Sequence, residues 1–300
     1  MSDQAAAGAK ASAVPEHRVR PQASGQALKT IAIWAVLVVL FCVLYFQFRG
    51  GSVWGPIAIV GGVLGGLGVL VGVLLFIVVR RIRRFNLANQ AATNALARGE
   101  LAAARETFTH WAQTTRVPAI SALARHNLAW TLVRQGQLEQ AIAVFTDNEA
   151  HNAKAIRSNN LGALSAADLA LAYALANQLA DAERWLRDSE ARVEPGHSPS
   201  LPGMRAFARA VIDCRSDRAA EAARALDEGW AEHEAILQGS TVRPLRVIRA
   251  FAHAAAGPRS AGIAEATIAS SRPAYPSEYS FLGVAWPEMA AFLASHDLVP

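Results

Sequence analysis

Two long runs without a charged residue fall within the first eighty positions, and they limit everything that follows. Residues 30–48 and 56–79 contain no Asp, Glu, Lys or Arg. Each is near the length a helix needs to cross the hydrocarbon core of a bilayer, roughly 20 residues. Lys29 and Arg49 bracket the first run, and Trp34 and Tyr45 lie towards its ends, where aromatic rings favour the membrane interface. The second is stopped by Arg80, Arg81, Arg83 and Arg84. Only residues 49–55 separate the two, so a pair of spans here makes a hairpin with both ends on one side. A mean hydropathy of +0.19 over 300 residues agrees, since soluble chains of this size rarely average above zero.

Charge assigns the side. Residues 1–29 carry Lys10, Arg18, Arg20 and Lys29, and the juxtamembrane segment 80–85 carries four arginines, against Arg49 alone in the turn. Basic residues stay cytoplasmic, which places both termini in the cytoplasm of a multi-pass protein of the inner (cell) membrane. An alanine- and arginine-heavy composition suggests a bacterial source. Arg80, Arg81, Arg83 and Arg84 would also meet anionic lipid headgroups, at about 1 kcal/mol for each basic residue near the surface. Residues 1–29 show no periodicity and read as a disordered tail. The first apolar run begins too late and runs too long for the core of a signal peptide. In the second run Gly61, Gly65, Gly68 and Gly72 share one helical face. Small residues in that register let membrane helices approach closely, either two copies of the chain or the two spans of one copy.

Beyond residue 85 strand formers are sparse and alanine dominates, so the class is all-α. Residues 125–145 read as two helices across a tight turn. Leu128, Ala129, Leu132 and Val133 give the first an apolar face; Leu138, Ala141, Ile142 and Phe145 give the second its own. Gly136 ends the first helix, as a residue able to take the left-handed conformation. The pattern recurs. Leu87, Ala91, Ala92 and Ala95 precede Gly99, then Leu101, Ala104 and Phe108 follow it, with Gly99 standing 37 residues before Gly136. A third copy has Leu169, Ala170 and Tyr173, then Asn177 at the turn, then Leu179, Ala182 and Leu186, with Pro195 closing the unit. Weaker hairpins are expected over 204–230 and 243–271, with a capping helix at 287–295. Asn127, Leu128, Ala129, Gly136, Ala141 and Phe145 together resemble a tetratricopeptide repeat unit, and residues 86–192 carry the resemblance well. It implies an α-solenoid of about four to five helix-turn-helix repeats over 86–300, each hairpin burying its apolar face on the next. The repeat spacings, 37 and 41 residues, exceed the family's usual value of about 34. The polar stretch 147–160 is extra, and Trp111 stands where a small residue is expected.

No catalytic constellation emerges. His233-Glu234 lacks the second histidine of a zinc protease helix, the serines near His197 have no nucleophile-elbow pattern, and no phosphate loop follows the glycine-rich run. Cys42 and Cys214 have no metal-ligand spacing. The reading is therefore a non-enzyme without cofactor or metal. A net charge of +5 with no basic-aromatic face argues against a nucleic-acid partner. In the repeat family the first helices line the concave face. His126, Trp130 and Arg134, spaced by four, are expected there as side chains outside the core, with Asn89 in the preceding unit; Trp beside Arg is a composition that binding hot spots favour. The sequence reads as a membrane-anchored scaffold that recruits a protein partner. The alternative is a structural homo-oligomer assembled through the glycine face of the second span.

Overall fold

The computed structural model describes residues 54–158, 160–192, 198–237 and 239–300. The tail 1–29, the first apolar run 30–48, residues 49–53 and Pro195 lie outside the described residues. The described part is all-helical, with no strand. Ala88–Pro300 form one compact unit, and the described residues before them, 54–87, belong to another.

Helix α1 (Trp54–Ala97) is 44 residues long, roughly 66 Å at 1.5 Å per residue. Its most apolar window has a mean hydropathy of 2.1, and it is the one described helix long and apolar enough to cross a membrane. The helix does not break at the basic juxtamembrane segment 80–85. Arg80, Arg81, Arg83 and Arg84 continue the helix that began in the apolar run, and the same helix supplies the first half of the first hairpin. No Pro or Gly falls between Gly72 and Gly99, and the Leu, Ala, Gln and Arg there are good helix formers. The apolar face of this last part is narrower than expected. Ala92 and Ala95 pack with Ala104 and Phe108, whereas Leu87 is 62% exposed and Ala91 is exposed as well.

The remaining helices are α2 (Leu101–Thr114), α3 (Pro118–Arg134), α4 (Leu138–Ser158), α5 (Gly162–Leu175), α6 (Leu179–Ala191), α7 (Leu201–Arg215), α8 (Ala219–Ile236), α9 (Gly239–Ala255), α10 (Ala261–Ala269), α11 (Ser280–Gly283) and α12 (Pro287–Ser295). Each helix from α2 to α9 packs on the next. The odd-numbered helices also meet one another, α3 with α5, α5 with α7 and α7 with α9. They form an inner row, and the even-numbered helices flank it. Every residue of α5 except Tyr173 is buried, as befits the middle of that row.

One turn geometry recurs down the chain. Gly99, Gly136, Asn177 and Asp217 all have φ between +59° and +83°. After each, a backbone N–H reaches five residues back: Glu100 to the Ala95 carbonyl, Gln137 to Leu132, Gln178 to Tyr173 and Arg218 to Asp213, each at 2.9 Å. This closes the end of a helix with a left-handed residue and satisfies its orphan carbonyl. Only Gly, Asn and Asp stand at the four positions, the residue types that enter this region most readily. The same closure ends α4 at Asn160 and α12 at Asp297, with Leu161 and Leu298 bonded back to Ile156 and Leu293 at 3.0 Å.

The polar stretch 147–160 is mostly a continuation of α4, bent at Asn152. Asn148 is buried and donates to the Ala122 carbonyl at 3.0 Å, and Asn152 donates to Asn148 Oδ1 at 2.9 Å. Trp111 is half-buried. After α10 the chain runs back across the hairpins. The Tyr275 ring lies over Gly99 and Val284 lies over Gly136, both so close that a Cβ on either glycine would stand 2.6 Å away. Tyr279, Phe281 and Leu282 are buried behind them, and Phe251 of α9 meets Trp286 and Phe292 edge to face.

Candidate partner-binding groove

The free concave-face side chains expected from sequence are corrected in two cases. His126 is 7% exposed. Its Nε2 lies 3.2 Å from Asp168 Oδ2 on α5, and its ring stands edge-on to Phe145 at 5.6 Å. Burial pushes the Asp168 carboxyl up, and its bond to His126 only partly offsets this. Arg134 is 4% exposed; it donates to the Ser240 carbonyl at 2.8 Å and to Tyr275 Oη at 2.7 Å, and its guanidinium sits 4.9 Å from the centre of the Phe281 ring. His126 is held inside by its neighbours on α4 and α5, and Arg134 by the start of α9 and the returning segment. Trp130 is half-buried. Asn89 is half-buried and accepts from Asn127 Nδ2 at 2.7 Å, which joins the first two hairpins.

Along α1, Gly61, Gly65, Gly68 and Gly72 share one helix, and a Cβ at Gly65, Gly68 or Gly72 would meet nothing within 4 Å. Arg80, Arg83 and Arg84 are exposed and Arg81 is half-buried.

A different surface brings chemistry together. On α8, Asp227, Trp230 and Glu234 fall three and four residues apart and share a face; on α9, Arg246, Arg249 and His253 repeat that spacing. The two faces meet. Arg249 lies 4.7 Å and Arg246 5.7 Å from the centre of the Trp230 ring. Arg246 bonds Glu234 at 2.5 Å and the Ser270 carbonyl at 3.0 Å; Arg249 and His253 bond Asp227 Oδ1 at 2.7 and 3.1 Å. Burial raises the Asp227 carboxyl, but those hydrogen bonds outweigh it and hold the group below its ordinary value. Helix α10 completes the wall with Gly262, Ala266 and Ile263, the last 44% exposed, around a groove of about 470 Å³. That volume lies within the usual range of ligand pockets, roughly 300–1,000 Å³.

The groove offers an aromatic floor, two guanidinium groups and an apolar lip. It holds no nucleophile paired with a base. Among the described residues no group of three or more His, Cys, Asp or Glu is placed to hold a metal ion. Burial pushes the Cys214 thiol up to about 12, so it is no thiolate. The arrangement is suited to contact. Arg243, Arg246 and Arg249 recur every three residues in the sequence, and the helix before carries Asp227 and Glu234 on either side of Trp230. That is the signal that could have located this surface.

No protein-family model, no curated protein and no solved structure matches the chain.

Proposed function

We propose that the protein is a membrane-anchored scaffold of the tetratricopeptide type, which holds a partner protein at the cytoplasmic face of the inner membrane. The observation that carries this reading is the repetition. Of the helix ends that close with the same left-handed turn, the four inside hairpins, at Gly99, Gly136, Asn177 and Asp217, stand 37, 41 and 40 residues apart. A chain of such hairpins buries apolar faces between neighbours and leaves long helical surfaces for a partner. The helix that opens the first hairpin starts in the apolar run, and four arginines follow that run, which supports a cytoplasmic hairpin array on a membrane span. Tethering raises the effective concentration of a bound partner near the bilayer, and no reaction is needed for that effect.

The partner docks at the groove between α8 and α10. Trp and Arg are the residue types over-represented at binding hot spots, and here Trp230 is pinned by Arg246 and Arg249, so little side-chain freedom remains to be lost on binding. The test is a photoreactive residue at position 263 of the full-length protein in cells, with one at position 130 for comparison. The expected result is a crosslink from 263 to one foreign protein, lost in Trp230→Ala. Crosslinks from 263 confined to the chain itself, or unchanged by Trp230→Ala, would overturn the reading.

A further inference from the structure

The segment that returns across the hairpins is bound like a ligand. Glu278 is fully buried, and Arg243 grips it with Nε at 2.9 and 3.1 Å and Nη2 at 2.6 Å, while the Ala274 N–H donates to it at 2.5 Å. Arg134 Nη2 lies 3.8 Å from the same carboxylate. Tyr275 fills the space above Gly99, donates no bond to it, and takes one from Arg134; Val284 fills the space above Gly136. Two arginines from helices 109 residues apart in sequence thus converge on one carboxylate carried by an irregular stretch. The fit is incomplete. Arg134 Nε is buried and has no hydrogen-bond partner. A guanidinium in such a place is built to take a carboxylate through two parallel N–H bonds, and Glu278 does not reach it in that way.

We propose that the cleft formed by Arg134, Arg243 and the turns at Gly99 and Gly136 is a binding site for an acidic peptide segment, and that residues 272–284 occupy it in cis until a partner's carboxylate displaces them. The Tyr275 and Glu278 side chains mark what the site recognises: an aromatic ring against a bare glycine turn and, three residues on, a carboxylate between two guanidinium groups. The displacing segment would use the free Arg134 Nε, which gives it an advantage over the cis occupant. Against it stands the effective concentration of the tethered segment, of millimolar order for a short connection, so the site stays closed without a strong competitor. This inference is independent of the groove between α8 and α10.

The probe is a labelled synthetic peptide with the sequence of residues 271–286, added to the full-length protein in detergent. Glu278→Ala removes the cis carboxylate and leaves the arginines in place. The peptide is expected to bind this variant at least roughly 30-fold more tightly than the unaltered protein, the equivalent of restoring one buried charged pair. A peptide with Gln in place of that Glu should lose the gain. Equal binding to both proteins, with the variant shown folded by circular dichroism, would overturn the proposal. Hydrogen exchange on the unaltered protein supplies an arm that no variant's folding affects. Amides of 274–286 are expected to exchange at least about tenfold faster than those in the middle of α9, as a segment that opens locally must. Equal protection would show a permanent cap and end the idea.

Discussion

The hairpins before residue 192 share their turn geometry with the hairpin that turns at Asp217, but the cores before residue 192 and after residue 198 differ. In the earlier hairpins many alanines pack beside leucines and isoleucines such as Ile120, Leu138, Leu169 and Leu186. Ala104, Ala122, Ala124, Ala129, Ala141, Ala166, Ala170 and Ala182 are buried to the point of near-zero exposure, with Phe108 and Phe145 as the large side chains. Small residues let helix backbones come close, so the spacing of contacts follows the helix itself. In the later hairpins buried alanines such as Ala208, Ala222, Ala250 and Ala252 are joined by contacts between rings and arginines. Arg215 lies 4.8 Å from the Trp286 ring centre and bonds the Ala285 carbonyl, Arg134 covers Phe281, and Arg249 covers Trp230. Such contacts satisfy a charge and bury a long aliphatic stem at once. They also depend on partners from distant parts of the chain, so nothing about them repeats at a fixed interval.

The contrast can be broken by mutation. The largest effect is expected for Phe145→Ala, which empties a fully buried site against His126; a loss of about 3–5 kcal/mol should appear as a lower urea midpoint of the detergent-solubilised protein. Glu278→Gln tests the other half. It preserves volume but leaves Arg134 and Arg243 without a counter-charge, and a loss of about 3 kcal/mol is expected by the same measurement. If Glu278→Gln proves neutral, the ionic core of the later hairpins contributes nothing and the contrast fails. Gly136→Ala should cost less, about 1–2 kcal/mol, through its φ of +72° and the crowding of Val284.

The smallest effect is a pH dependence. Asp168 has a raised carboxyl pKa in the folded chain, so the folded state holds a proton that the unfolded state has already released. Stability should therefore fall as pH rises from the ordinary aspartate value through the raised one. Asp168→Asn should flatten that slope, as read from thermal midpoints across the acid range. An unchanged slope would mean that another group carries it.

What the sequence made legible follows the same division. Gly99, Gly136 and Asn177 were visible as turns because each is followed by an apolar stripe at helical spacing. Asp217 was not, since Asp is common on any surface and only its φ of +59° sets it apart. The helical class and the closing helix at Pro287–Ser295 were legible from periodicity. The continuity of α1 through its arginines was not, because a basic cluster marks the end of a membrane run whether or not the helix goes on. His126 and Arg134 were misplaced for a related reason. A polar residue between apolar ones reads as exposed, and nothing within the repeat announces Asp168 or Tyr275 as its buried partner. Trp230 and Arg249 went unnoticed because their pairing lies between helices.

The repeated turn has a kinetic consequence. A bond that reaches five residues back closes within a single helix end, so each hairpin can form early, in any order and without waiting for its neighbours. The bond from Arg134 to Tyr275 joins positions 141 apart and brings with it a far larger loop closure than any of the turn bonds. It can form only when the hairpins between are in place. A chain that stalls or misplaces one of them leaves Arg134 buried without its partner or exposed to water. The Arg134 contact is in this sense a completion mark, set last, and its protection in a refolding time course would report the moment at which the whole array has closed.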